Sequence, residues 1–198
     1  MEIPLYLEWL CTAAFALSGV LSARDSRVDL DIFGVMVVGV ITALGGGTIR
    51  DMLLGAEVFW LSRSDMLYWA MTVSAAGFFL ARHIPHKVDM LVLVLDAIGL
   101  AIFSVYGAHK AQFMGAPWMS CVYMGVITGI GGGMLRDMLT AQVPLIMRRE
   151  IYATAALSGS LCTVFIPGEL GLWAGMLTCC LLRLGAIGWR MSLPWRGW

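Results

Sequence analysis

Two short stretches hold the residues whose types and spacing could do chemistry: Gly45-Gly-Gly-Thr-Ile-Arg-Asp51 and Gly131-Gly-Gly-Met-Leu-Arg-Asp137. Arg-Asp is among the costliest pairs to place in an apolar span, and here it occurs twice. The glycines Gly45, Gly46, Gly47, Gly131, Gly132 and Gly133 cost roughly 1 kcal/mol each inside a helix relative to alanine, so they mark a kink or a break. At a break, the first half-helix leaves carbonyls that can coordinate a cation, and the second presents N–H groups that can hold an anion. A packing role competes with this reading. Gly39, Ala43 and Gly47, and likewise Gly125, Gly129 and Gly133, form small-x-x-x-small stripes that let helices approach closely.

Neighbouring helical side chains point about 100° apart, so Arg50 should face Asp51 poorly, and Arg136 should face Asp137 poorly. The expectation is a crossed arrangement, Arg50 with Asp137 and Arg136 with Asp51. Asp96 lies in the apolar run from Met90 to Ala108 and needs a cation, a helix end or water; a polar cavity is expected around it. Arg183 sits late in the last apolar run and can snorkel to the headgroups. Tyr106, His109 and Lys110 close the fourth run, where a lone histidine reads as a solvated helix end. Trp60, Trp69, Trp118, Trp173 and Trp189 read as interfacial anchors.

Enzymatic chemistry has no support in these residues. There is no nucleophile with a base, and no carboxylate and histidine set with metal spacing. The glycine runs lack the Gly-Lys-Ser/Thr ending of a phosphate-binding loop. The five cysteines fall in apolar stretches without zinc or disulfide-framework spacing and read as small apolar residues. No cofactor is expected. Zero formal net charge and the absence of a basic stripe argue against a nucleic-acid partner.

The elements that must position these groups follow from composition. Hydrophobic residues make up 60% of the 198 and charged residues only 13%, with a mean hydropathy of +0.83. That is too little charge to cover the surface of a soluble domain, so lipid must be the solvent. Apolar runs extend from Leu5 to Ala23, Leu30 to Leu44, Met66 to Ile84, Met90 to Ala108, Trp118 to Ile130, Ile151 to Ile166 and Leu170 to Trp189. The runs ending at Leu44 and Ile130 are short for a core of about 30 Å unless the chain continues through the glycines. The first run lacks the basic start of a removable signal and counts as the first helix.

Arg24, Arg27, Arg82, Lys87, Arg148, Arg149, Arg190 and Arg196 fall on one side of this plan, against Arg63 and Lys110 on the other. The excess predicts an outside amino terminus and a cytoplasmic carboxyl terminus. Gly39 to Leu53 matches Gly125 to Leu139 at an offset of 86 positions. With three helices per copy, the second copy must run inverted relative to the first. The prediction is an all-α membrane protein of seven transmembrane helices in one domain, 1–198. It divides into a first three-helix repeat (5–86), a second inverted repeat (88–167) and a seventh helix (168–190), with the glycines in the second and fifth helices.

With both motifs quoted, the chain resembles the prokaryotic branch of the TRIC (trimeric intracellular cation) channel family over nearly its whole length. The resemblance implies a homotrimer with one pore per protomer, lined by the two glycine-kinked helices and passing potassium or other monovalent cations across the bacterial inner membrane. It carries the kinks to the six glycines and the motif charges to Arg50, Asp51, Arg136 and Asp137. Animal members have a Lys-Glu-Val motif tied to lipid head groups, which is missing here. Related bacterial sequences are also labelled glycine transporters, and an arginine beside a half-helix N-terminus would suit an amino-acid carboxylate. A secondary transporter of a small amino acid is therefore the alternative. A third, non-conducting reading would leave Asp51 and Asp137 dry and paired, with no water-filled route beside them.

Overall fold

Apolar runs of helix-forming length, bounded by proline, glycine and short polar clusters, fold as helices. The computed structural model describes residues 4–26, 28–81, 83–84, 89–148 and 150–189, and among them are nine helices. They are α1 (Leu5–Arg24), α2 (Ile32–Leu53), α3 (Phe59–Ser62), α4 (Ser64–Ala81), α5 (Asp89–Phe113), α6 (Trp118–Leu139), α7 (Leu145–Arg148), α8 (Glu150–Phe165) and α9 (Glu169–Gly188). Of the cations used to predict orientation, Arg27, Arg82, Lys87, Arg149, Arg190 and Arg196 lie outside the described residues, as does the side chain of Arg148.

Five of these helices, α1, α2, α5, α6 and α9, are long and apolar enough to cross a membrane. Apolar α8 is shorter, and α4 falls outside the group. The packing is polar inside and apolar outside. Phe33, Tyr123, Leu177 and Leu181 are exposed, whereas Arg50, Asp51, Asp96, Arg136 and Arg183 are buried. Water would favour the reverse, so the chain is an all-helical, multi-pass membrane protein.

α2 and α6 pack against each other, α1 covers α2, and α5 covers α6. Asp31 caps α2 by accepting the Gly34 N–H at 2.7 Å. The ends of α2 and α6 close in the same way. The Ala56 N–H donates to the Asp51 carbonyl and the Gln142 N–H to the Asp137 carbonyl. Gly55 and Ala141 then turn with positive φ, +63° and +52°. Each of these pairs is 86 positions apart.

The expected interruption at the glycines does not form: α2 and α6 are continuous helices through both triplets. No half-helix ends are exposed there to coordinate a cation or hold an anion. The glycines serve close approach instead. A Cβ on Gly46 would run into the Thr128 carbonyl, and one on Gly132 into the Thr42 carbonyl. The cost in helix propensity is offset by backbone-to-backbone contact where α2 meets α6.

Candidate polar site at the two ends of the central helix pair

Because α2 and α6 run through their glycines, each delivers its Arg-Asp pair one turn from its C-terminus. All four residues are buried. The crossed pairing is not what forms. Arg50 Nε donates to Asp51 Oδ1 at 2.7 Å, and Arg136 Nε donates to Asp137 Oδ1 at 2.9 Å. Divergent Cβ directions are overcome by the length of the arginine stem, which lets the planar guanidinium fold back onto the adjacent carboxylate. The second carboxylate oxygen of each aspartate is taken by the backbone eight residues on. The Phe59 N–H donates to Asp51 Oδ2 at 3.0 Å, and the Leu145 N–H donates to Asp137 Oδ2 at 2.8 Å. The short helices α3 and α7 begin at those residues, so each aspartate fastens the segment that follows its own helix.

Beyond this shared frame the two ends differ. At the first, Lys110 from α5 places its Nζ 2.7 Å from Asp51 Oδ1, giving one carboxylate between two cations. Arg50 also lies against the rings of Phe59 and Tyr106, at 5.7 and 5.0 Å from their centroids. At the second end, Arg136 Nη1 donates to Asp96 Oδ1 at 2.8 Å and to Ser18 Oγ at 2.5 Å, giving one cation between two carboxylates.

Asp96 is thus neutralised by Arg136 and is fully buried; it does not line the cavity found at this end. That cavity, of about 640 Å³, is bordered by Ser22, Asp25, Arg136, Asp137, Thr140 and Gln142 together with apolar side chains of α1 and α5. Arg183 does not snorkel. It is buried with its guanidinium 4.7 Å from the Tyr152 ring centroid, because α9 turns this position inward and an aromatic face accepts the charge.

Lys110 is the functional candidate that sequence reasoning missed. α5 continues to Phe113, so Lys110 does lie in its last turn, but its ammonium is only a quarter exposed and meets Asp51. The signal available was the second half itself. Phe15 and Phe103 stack at 5.3 Å, and Gly19 and Gly107 are closed against Thr42 Oγ1 and Thr128 Oγ1 respectively, which registers α1 on α5 at an offset of 88. In that register Ser22 answers to Lys110.

Trp60 Nε1 donates to Thr48 Oγ1 and Trp69 Nε1 to the Trp9 carbonyl, while Trp118, Trp173 and Trp189 are exposed. Outside the helices, Arg63 joins Glu8 at 2.7 Å and Asp65 at 3.2 Å. Partial burial works against its charge, but the hydrogen bond and attraction of Glu8, then Asp65, raise its pKa above the ordinary arginine value. Among the described residues no group of three or more metal-ligating side chains is gathered.

Residues 5–83 and 93–167 match the family described as Glycine transporter. The chain is 44% identical over 196 residues to the UPF0126 inner membrane protein YadS of Escherichia coli (strain K12), covering 96% of this chain and 94% of that protein. It is 34% identical to the UPF0126 membrane protein YvgT of Bacillus subtilis (strain 168), covering 91% and 90%. Among solved structures, the TRIC trimeric intracellular cation channel orthologue from Rhodobacter sphaeroides is similar with a TM-score of 0.87 and 39% identity, covering 94% of this chain and 98% of that one. A structure described as the basis for conductance through TRIC cation channels gives a TM-score of 0.88 at 33% identity, covering 100% and 98%.

Proposed function

The chain belongs to the family described as Glycine transporter, and from its likeness to solved TRIC channels we propose that it is a cation channel of the bacterial inner membrane, not an enzyme. The observation that carries the reading is the pair of buried Arg-Asp groups at the C-terminal ends of two helices packed glycine to carbonyl, in a fold similar to solved TRIC channels. The route for the ion is lined by α2 and α6, one route per protomer of a homotrimer, and the permeant species is potassium or another monovalent cation. Membrane lipid surrounds the trimer. Gly46 and Gly132 hold the two helices together by backbone contact. Asp51 and Asp137 offset the arginines that would otherwise repel a cation.

The two halves run inverted, three helices each, with α9 added, so the chain spans the membrane seven times. The geometry shared at an offset of 86 positions supports this, since one end of the pore reproduces the other. The amino terminus lies outside and the carboxyl terminus in the cytoplasm. In the arrangement described, the Lys110–Asp51 pair closes the outer end and the cavity beside Asp137 opens the inner one. A non-conducting scaffold accounts less well for a cavity reaching one motif aspartate.

The test is reconstitution in liposomes, with potassium flux and labelled glycine uptake measured in parallel. Potassium flux without any co-substrate, lost in the Asp51→Asn, Asp137→Asn double variant, is the expected result. Saturable glycine uptake with no uncoupled current would replace the channel by a transporter. Arg136 argues against that outcome, because its nitrogens are spent on Asp96, Asp137 and Ser18 and not left for a substrate carboxylate.

A further inference from the structure

Register α1 on α5 by the stacked phenylalanines Phe15 and Phe103, and by Gly19 and Gly107 against Thr42 and Thr128, and the ends of the pore can be compared position by position. Glu8 then answers to Asp96 and Ser22 to Lys110. At one end, Lys110 occupies the approach to the motif aspartate, its ammonium 2.7 Å from Asp51. At the other, Ser22 is too short to reach. Its hydroxyl instead accepts from Gln142 Nε2 at 3.3 Å, and the room that a lysine would fill belongs to the cavity of about 640 Å³ beside Asp137.

Among the described residues, the charges bordering that cavity are Asp25, Arg136 and Asp137, with Asp25 held by Arg24 at 2.9 Å. Behind them Arg136 is shared with Asp96, and Arg183 is turned onto Tyr152 and does not border the cavity. One mouth is thus bordered by a carboxylate whose arginine is divided between two acids. At the other, the Asp51 carboxylate is capped by a lysine as well as an arginine, and Glu8, the counterpart of Asp96, is joined to Arg63.

We propose that the Ser22/Lys110 pair sets the direction of easy conduction: a hydrated monovalent cation enters readily from the Asp137 cavity, is held back at the Lys110 end, and the current rectifies. This rests on the channel reading. Fixed charge at a pore mouth raises or lowers the local concentration of the permeant ion, and the effect fades as salt screens it. A serine where the other end has a lysine leaves the approaches to Asp137 and Asp51 differently charged.

The experiment is single-channel recording of the full-length protein in planar bilayers with symmetric potassium chloride, comparing currents at equal and opposite voltages. Insertion orientation is read from a tag cleavable from one side. Wild type is expected to pass several-fold more current in one direction at low salt, with the ratio falling toward unity as salt rises. Lys110→Met should straighten the curve by raising the smaller current. Ser22→Lys should straighten it by lowering the larger, and Lys110→Ser combined with Ser22→Lys should reverse the favoured direction. Should Ser22→Lys fail to fold, Lys110→Met alone still decides. A straight wild-type curve, or a ratio unmoved by Lys110→Met, overturns the inference and leaves the channel reading standing. Absence of any current in a monodisperse wild-type preparation overturns both.

Discussion

The two ends of the α2/α6 pair share one backbone frame and hold opposite charge patterns within it. Asp51 and Asp137 each accept from the arginine before them and from the backbone N–H eight residues on, yet the first adds Lys110 and the second shares its arginine with Asp96. Duplicated hydrogen bonds of this kind need only the motif and the loop after it. The charge pattern is decided by side chains arriving from α1 and α5. Function can therefore diverge between the ends without disturbing the frame.

The sharpest way to break the comparison is at the arginines. Arg136→Ala strands two buried carboxylates and removes the partner of Ser18, so it should cost about 3–5 kcal/mol and abolish recovery of folded protein. Arg50→Ala strands one carboxylate that keeps Lys110, and thermal unfolding in detergent should find it clearly milder. Equal losses would mean that the ends are energetically alike. Next in size, Gly46→Ala and Gly132→Ala each push a methyl group into a backbone carbonyl that cannot swing away, for about 1–3 kcal/mol apiece. Here the two ends should agree, and a large difference in melting temperature would break the shared frame.

Ala141 holds a left-handed conformation where the first half uses Gly55. Ala141→Gly should therefore stabilise by up to about 1 kcal/mol, read as a small rise in melting temperature, whereas Gly55→Ala should destabilise by a similar amount. The smallest effect belongs to the half-exposed Arg63–Glu8 pair. Arg63→Gln should cost about 0–1 kcal/mol, and less in high salt.

Much of this frame was legible in the residues. Apolar runs between proline, glycine and polar clusters marked the helices, and the two Gly-Gly-Gly-x-x-Arg-Asp stretches marked what would be buried and matched. The runs that looked short did continue through their glycines, to Leu53 and Leu139. Partners were not legible. Arg50 and Asp51 diverge at Cβ, and only the rotamer adopted in a closed pocket returns the guanidinium to its neighbour. Lys110 looked like a solvated helix end because its apolar run stops at Ala108; it does lie in the last turn of α5, but the packing of α5 beside α6 brings its ammonium to a residue 59 positions away. Arg183 looked free to reach water until Tyr152 of α8 was beneath it.

By itself the sequence determined the helical membrane class, the duplication and the need to bury an Arg-Asp pair twice, because hydropathy, periodicity and the cost of charge in lipid are local properties of the chain. Only the tertiary structure decided which carboxylate meets which cation, whether the glycines break or pack a helix, and which end keeps a cavity. Those outcomes depend on side-chain reach and on contacts between helices that are distant in sequence, and no local pattern encodes them.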